Sequence, residues 1–251
     1  MIRIAAVGDL HYGAGSQGIL KPGLEHLPDR ADLLLLAGDL TRRGNPEEIQ
    51  VLADELRGLP VPIVAVLGNH DYHCGREAEV RRALEGAGVR VLEGEGVTLN
   101  INGVRVGIAG TKGFGGGFRG AHGSDFGEPE MKAFVGHTKM LSDRLERALT
   151  RLDGVDLRIA LLHYSPIEGT LEGERLEIYP FLGSYLMAEA VDSAGADLVV
   201  HGHAHHGTEK GRTPAGIPVR NVAQPLIRHA YSVYTLNGRR EAQPAAAGGI
   251  S

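Results

Sequence analysis

Short apolar runs, nearly continuous in hydrophobicity, recur along the chain, and most are followed at once by glycine and polar residues. Such runs predict β-strands that are covered on both faces, because a strand with one face in water would alternate apolar and polar residues. The clearest runs are residues 2–7, 33–37, 63–67, 104–109, 159–162 and 198–200. A chain with several strands of this kind needs helices to cover its sheets.

Segments with helical spacing of apolar residues lie between several of these runs. Asn45 and Pro46 provide an N-cap and a first-turn proline for one of them. The apolar faces are Ile49, Leu52 and Leu56; Val80, Ala83, Leu84 and Ala87; Leu141, Leu145, Ala148 and Leu152; and Leu186, Ala190, Val191 and Ala194. Alternation of strands and helices predicts a layered α/β protein with mixed sheets.

The middle of the chain has the pattern of a β-hairpin. Residues 97–101 and 104–108 alternate apolar and polar, and Asn102-Gly103 between them favours a tight turn. Residues 219–222 and 231–236 are predicted to form two final strands. The glycine-rich segment 110–127 and the segment 165–183 are long enough to indicate functional or disordered loops.

Composition and length limit the class of protein. The chain has 251 residues, which suits one α/β domain, here placed at 1–240, with an Ala- and Gly-rich disordered tail at 241–251. The net charge is −5 and no basic run occurs, so a nucleic-acid partner is not indicated. With one cysteine, Cys74, no disulfide can form within the chain. No signal segment or bilayer-length apolar run is present, so we expect a cytoplasmic address and no membrane partner.

Side chains of Asp, Asn and His follow five separate predicted strands. They are Asp9 and His11; Asp39; Asn69, His70 and Asp71; His163; and His203 with His205. Ligands of open α/β sheets gather outside the carboxyl ends of the strands, so these side chains are expected to converge.

The residue types at these positions suit divalent metal ions. Carboxylate and amide oxygens favour Mn, and imidazole favours Zn, Fe or Ni. A carboxylate shared by two ions would hold them at about 3.5–4 Å, the spacing that stabilises both the attacking and the leaving oxygen in phosphoryl displacement. In Asp-x-His and His-x-His, alternate residues of an extended chain face the same side.

The ordered motifs Asp9-x-His11, Gly38-Asp39, Gly68-Asn69-His70-Asp71, His163 and Gly202-His203-x-His205 resemble those of the calcineurin-like metallophosphoesterase superfamily. The resemblance covers residues 9–205. It implies a four-layer αββα sandwich of two mixed β-sheets flanked by helices. It also implies two divalent ions, one held by Asp9, His11 and His205, one held by Asn69, His163 and His203, and both bridged by Asp39.

The resemblance further implies how the reaction would run. A metal-bridging hydroxide would attack phosphorus in line, since bound ions lower the pKa of water toward neutrality. His70 would contact phosphate and protonate the leaving oxygen, and Asp71 would orient the His70 ring.

These implications favour a phosphodiesterase acting on a small phosphate ester, with an open site because the chain lacks room for a large cap. A protein Ser/Thr phosphatase is disfavoured, because Arg42 stands where those enzymes have a second acid. The alternatives are a phosphomonoesterase or nuclease of the same superfamily, a non-catalytic metal-binding scaffold on the same fold, or a hydrolase of non-phosphate esters. The oligomeric state stays open.

Overall fold

The structure, a computed structural model, describes residues 1–238 and is built from two large mixed β-sheets with helices outside them. The strands are β1 (Ile2–Val7), β2 (Leu33–Ala37), β3 (Ile63–Val66), β4 (Val89–Val91), β5 (Glu95–Ile101), β6 (Val104–Thr111), β7 (Gly117–Phe118), β8 (Ala121–His122), β9 (Leu157–Leu162), β10 (Leu198–His201), β11 (Lys210–Arg212), β12 (Pro218–Asn221) and β13 (Ser232–Leu236).

The helices pack on the outer faces of the two sheets or join their strands. They are α1 (Lys21–Leu24), α2 (Leu27–Arg30), α3 (Pro46–Leu56), α4 (Glu77–Gly86), α5 (Pro129–Thr150), α6 (Tyr179–Leu182), α7 (Tyr185–Ala194) and α8 (Gln224–Ile227). Helix α3 begins with a capping box between Asn45 and Glu48, next to the proline that the sequence places in its first turn. None of the helices within residues 1–238 has the length and apolar character needed to cross a bilayer.

The first sheet has the strand order β13-β1-β2-β3-β4. Strands β1 to β4 are parallel, and β13 pairs antiparallel with β1. The second sheet has the order β11-β12-β10-β9-β6-β5, in which β6, β9, β10 and β12 are parallel and the two edge strands are antiparallel. The parallel strands β1 to β3 and β6, β9 and β10 therefore carry the carboxyl ends at which a site can form.

Three apolar clusters hold four layers together. The two sheets face each other through side chains such as Ile4 and Leu35 on one side and Ile108 and Ile159 on the other. The opposite face of the first sheet packs on α3 and α4, and that of the second sheet packs on α5 and α7. The predicted four-layer αββα sandwich of two mixed sheets is confirmed, because each sheet buries both faces.

Most predicted strands are present with bounds that differ by a few residues. The Asn102-Gly103 hairpin forms between β5 and β6, with φ of 52° and 79° at its two turn residues. The sequence pattern missed the short strands β4, β7, β8 and β11, because two or three residues show no periodicity.

The two segments expected to be long loops carry short elements of their own. The segment 110–127 contains the β7–β8 hairpin, and the segment 165–183 contains two 3₁₀ turns and α6. One domain over 1–240 stays a prediction, and the tail expected at 241–251 lies outside the described residues.

Candidate metal centre

The loops that follow β1, β2, β9 and β10 are hydrogen-bonded to one another beyond the ends of their strands. The Asp9 amide donates to the Gly38 carbonyl at 2.9 Å, and the His11 amide donates to the Asp39 carbonyl at 3.0 Å. The Gly202 amide donates to the His163 carbonyl at 3.1 Å. These bonds bring residues from distant parts of the sequence to one edge of the sandwich.

Four of the expected ligands occupy the left-handed region of backbone conformation. The φ angles are 57° at Asp9, 46° at His11, 50° at Asp39 and 71° at His203. Within residues 1–238 only two other non-glycine residues have positive φ, and one is Asn102 in the hairpin turn. Such conformations cost free energy and persist where the surrounding structure requires them, which is common at functional sites.

The glycines that precede the ligands allow close packing of the loops. A Cβ at Gly68 would overlap Oδ1 of Asp39, and a Cβ at Gly202 would overlap Oδ2 of Asp9. A Cβ at Gly38 would lie 2.6 Å from Nδ1 of His163. Glycine is therefore required beside the side chains of Asp39, Asp9 and His163, three of the expected ligands.

Asp9, His11 and His205 form the first of three groups whose ligand atoms lie within 4.8 Å of one another. Nε2 of His205 lies 3.0 Å from Oδ1 of Asp9, and the His203 amide donates to Oδ2 of Asp9 at 2.9 Å. Burial lowers the pKa of His11, which favours the neutral ring that a metal ion needs. The expected first-ion ligands are thus brought together.

Asp39, His163 and His203 form the second group within 4.8 Å. Oδ1 of Asn69 lies 3.0 Å from Nε2 of His163, which places the amide beside the same group. The second set of expected ligands is thus also brought together.

His163 provides the test of whether a cation fits here. Its Nδ1 lies 2.8 Å from the Ala37 carbonyl, which can only accept, so Nδ1 carries a hydrogen. Nε2 of the neutral ring then directs a lone pair toward Oδ1 of Asn69 at 3.0 Å and Oδ1 of Asp39 at 3.3 Å. Three acceptor atoms facing one another need a positive charge between them, which a divalent ion would supply.

The electrostatics of the bare site agree with this geometry. Burial lowers the pKa of His163, but the opposing charge and hydrogen bond of Asp39 outweigh burial and raise it to about 9. Burial alone would raise the pKa of Asp39, but the charge of His163 holds it well below its usual range. The side chains of His163 and Asp39 are 0% and 2% exposed, so a proton on this ring takes the place that an ion would take.

His203 is oriented by a main-chain oxygen. Its Nε2 lies 3.3 Å from the Phe181 carbonyl, which leaves Nδ1 as the ring nitrogen that could bind an ion. Burial, followed by the charge of His163, lowers the pKa of His203 to about 3, so the ring is neutral. Tyr164 packs beside it, with ring centroids 4.3 Å apart.

Asp39 is shared between the two sides of the site. Its carboxylate belongs to the group with His163 and His203 and also to a third group with His11 and His70. This is the position that a bridging carboxylate would occupy between two ions.

His70 lies at the solvent edge of the site. Its side chain is 44% exposed, and Nε2 lies 3.9 Å from Oδ2 of Asp39. Nδ1 lies 2.7 Å from the Arg42 carbonyl, so Nδ1 carries a hydrogen and Nε2 faces the site.

The expectation that Asp71 orients the His70 ring is wrong, because the Arg42 carbonyl makes that contact. The Asp71 carboxylate is fully buried and accepts from the amides of Leu40, Thr41 and Gly68 and from the Thr41 hydroxyl, at 2.6–3.1 Å. Burial and the charge of Asp39 raise the pKa of Asp71 to about 6. Asp71 therefore ties together the two loops that carry Asp39 and Asn69.

The sequence motifs missed the main-chain oxygens that orient the ligands. The carbonyls of Ala37, Arg42 and Phe181 hold the rings of His163, His70 and His203, respectively. Every residue type carries such an oxygen, so no residue pattern identifies them.

In the glycine-rich segment 110–127, Lys112 is buried, with its ammonium about 5 Å from the ring centroids of Tyr72, Phe114 and Tyr164. Arg119 of the same segment is exposed and forms an ion pair with Glu189.

Comparison with known proteins agrees with the fold and identifies the family. The family model described as calcineurin-like phosphoesterase matches residues 2–207. An "Uncharacterized metallophosphoesterase" of Aquifex aeolicus is 35% identical over 103 residues, which cover 39% of this chain and 39% of the relative. A "Probable cyclic nucleotide phosphodiesterase" of Synechococcus is 36% identical over 92 residues, 30% of this chain and 36% of the relative. Both matches thus span well under half of the relatives.

The solved structures include one with the same architecture over nearly the whole chain. The phosphopantetheinyl hydrolase of Mycobacterium tuberculosis aligns with a TM-score of 0.65 and 17% identity, covering 98% of each chain. The fold and the family model together define the class of protein as one with the α/β architecture of the metallophosphoesterases. The chain belongs to the calcineurin-like phosphoesterase family, a family of metal-dependent phosphoric ester hydrolases.

Proposed function

We propose that the protein is a phosphodiesterase that works with two divalent metal ions bound side by side. The observation that carries this proposal is the position of Asp39, whose carboxylate lies within 4.8 Å of ligand atoms on both sides of the site. A single buried carboxylate with imidazoles on either side suits a pair of ions better than one ion.

Seven side chains would hold the ions. Asp9, His11 and His205 would hold one, Asn69, His163 and His203 the other, and Asp39 would contact both. When bound, the ions would activate water and neutralise charge on the phosphate. Nitrogen and oxygen donors in this mixture suit Mn, Fe, Zn or Ni, and manganese is included in the proposal.

His70 would act on the leaving group. Its Nε2 faces the site, and its Nδ1 hydrogen is donated to the Arg42 carbonyl at 2.7 Å, which fixes the orientation of the ring. A proton on Nε2 would pass to the ester oxygen as its bond to phosphorus breaks, as in general acid catalysis. Asp71 would contribute indirectly, by holding the two ligand loops in place.

A diester is favoured as substrate by two observations. The His70 side chain is 44% exposed, so a second ester group has room at that side of the site. The Synechococcus relative carries the name of a cyclic nucleotide phosphodiesterase. The cytoplasmic address and the expected lack of a nucleic-acid partner stay predictions.

Turnover of bis-p-nitrophenyl phosphate and of p-nitrophenyl phosphate tests the proposal, with Mn, Fe, Ni and Zn added in turn to metal-free protein. We expect about two ions per chain and faster hydrolysis of the diester. Faster hydrolysis of the monoester would reject the diester preference. Absence of turnover at full metal occupancy would favour the non-catalytic scaffold, and one ion per chain would reject the two-ion mechanism.

A further inference from the structure

Arg42 lies across the loop that carries the first metal ligands. Its Nε donates to the His11 carbonyl at 3.1 Å. The side chain passes over Gly13, where an added Cβ would lie 3.1 Å from Cδ and 3.2 Å from Cζ of the arginine. Glycine at position 13 therefore leaves room for the guanidinium to lie against the main chain.

The charge of this guanidinium is not neutralised by the protein. Arg3, Arg76 and Arg81 each form an ion pair with a carboxylate, whereas Arg42 forms none with any residue in the described part of the chain. Arg42 is exposed, and its only side-chain hydrogen bond among residues 1–238 is the one from Nε. The two terminal nitrogens keep four N–H donors in a fixed planar arrangement.

Arg42 contacts two residues of the site, His11 and His70, and the second of these is the proposed acid for the leaving group. Its carbonyl accepts from His70 and its side chain donates to His11, and the rings of His11 and His70 are 4.6 Å apart. The side chain of Arg42 thus contacts the main chain of His11, and its main chain contacts the ring of His70. A group bound by the terminal nitrogens would lie next to the loop that carries His11 and Gly13.

We propose that Arg42 binds a second anionic group of the substrate, so that the site selects phosphate esters that carry a phosphate or carboxylate besides the reacting phosphate. A guanidinium binds such groups through two parallel hydrogen bonds, which fix orientation as well as charge. The proposal rests on the proposed function, since it takes the metal centre as the place of the reacting phosphate.

Calorimetric binding of two nucleotides to the manganese-loaded protein tests this role. Thymidine 3′,5′-bisphosphate carries the second phosphate, and thymidine 5′-phosphate lacks it. We expect the bisphosphate to bind more tightly, and Arg42→Ala to weaken its binding about 10- to 100-fold, as for loss of a charged hydrogen bond. Binding of the monophosphate should change less than about twofold on the same scale.

Two further variants distinguish a direct contact between Arg42 and the anion from a general effect of positive charge near the site and from damage to the folded structure. Arg43→Ala removes the neighbouring exposed charge and should leave the preference for the bisphosphate intact. Gly13→Ala keeps the charge of Arg42 but forces a small shift of its side chain, and should reduce the preference less than Arg42→Ala does. Metal content and thermal midpoint should stay at the wild-type values in all three variants.

The possible results have different consequences. Equal weakening by Arg42→Ala and Arg43→Ala, equal loss of both nucleotides, or no preference in the wild-type protein would overturn the role of Arg42. Calorimetry does not depend on turnover. A protein that prefers the bisphosphate through Arg42 but hydrolyses no ester would therefore reject the proposed function and keep the anion site.

Discussion

The Nδ1 atom of His70 lies 2.7 Å from the main-chain oxygen of Arg42. A carbonyl can only accept, so this contact sets which ring nitrogen faces the site and keeps the ring from turning. The loop that follows β2 thus supplies both Asp39 and the acceptor that orients the histidine. A main-chain oxygen performs a role for which the sequence suggested a carboxylate.

Replacing His70 should slow the chemistry without removing metal. For His70→Gln we expect a loss of about 10²- to 10⁴-fold in kcat, as for loss of a general acid, with metal content unchanged. The loss should be larger for an alkyl leaving group than for p-nitrophenolate, which needs less protonation. His73→Gln, an exposed histidine nearby, is the control. Loss of metal in His70→Gln would show that His70 is a ligand.

Replacing Asp39 should remove metal and activity together. Asp39→Asn keeps the shape of the side chain but removes the charge shared by both ligand groups, so metal content should fall from about two ions per chain to below about one. Plasma emission spectroscopy of dialysed protein measures this. Asp54→Asn is the control, since that side chain is 62% exposed on α3. Retention of both ions would show that Asp39 is not the bridge.

Adding a methyl group at Gly202 should displace the Asp9 carboxylate, because a Cβ there would overlap its Oδ2 atom. We expect Gly202→Ala to weaken metal binding about 10- to 100-fold, the range found when a contact that orients a ligand is lost. Titration of metal-free protein measures the affinity. Gly86→Ala, in α4 with nothing within 4 Å, should instead stabilise the protein by about 0.4–1 kcal/mol. Unchanged metal affinity in Gly202→Ala would contradict the packing described.

Replacing Asp71 should reduce stability, because its carboxylate accepts from three amides and one hydroxyl. Asp71→Ala leaves these buried donors without their partner, and we expect a loss of about 3–5 kcal/mol in the free energy of unfolding. Urea unfolding measures it, with Asp54→Ala as the exposed control. A variant with wild-type stability would contradict the role of Asp71 in holding the two loops together.

The ion pair between Arg3 and Asp32 should make stability depend on pH. Hydrogen bonds from Arg3 lower the pKa of Asp32 below its ordinary value of 3.8. The Asp32 carboxylate therefore binds a proton less readily in the folded state than in the unfolded state. The contribution of the ion pair to the free energy of unfolding is present above pH 3.8 and is lost as pH falls through the folded pKa of Asp32. Asp32→Asn should flatten the fall in unfolding free energy that accompanies acidification below about pH 3.8. Asp143→Asn, an exposed acid, should leave that fall unchanged.

Much of the framework was predictable from the sequence because the strands are buried on both faces. The runs at 2–7 and 33–37 coincide with β1 and β2, and the helical face of Leu141 and Leu145 lies on α5 against the second sheet. The metal-ligand candidates were also identifiable, because each directly follows a strand and brings a donor atom of the right type.

The partners of these residues were not predictable in the same way. Asp71 follows Asn69 and His70 in the chain, yet a 3₁₀ turn at His70–Tyr72 directs its carboxylate toward Leu40 and Thr41 rather than toward the His70 ring. The side chain of Arg42 reaches the His11 carbonyl through a contact between two loops. Such contacts depend on the crossing of loops from different strands, which local patterns do not encode.

The sequence by itself determined which residues carry donor atoms and that they lie at strand ends, because hydrophobic burial sets the strands and the residue type sets the chemistry. The tertiary structure alone decided which atoms face one another: the lone pairs of His163, Asn69 and Asp39 toward one point, the His70 ring toward a main-chain oxygen, and Asp71 into the interior. The physical reason is that orientation comes from backbone conformation and from hydrogen bonds between loops distant in sequence, and both exist only once the two sheets have packed.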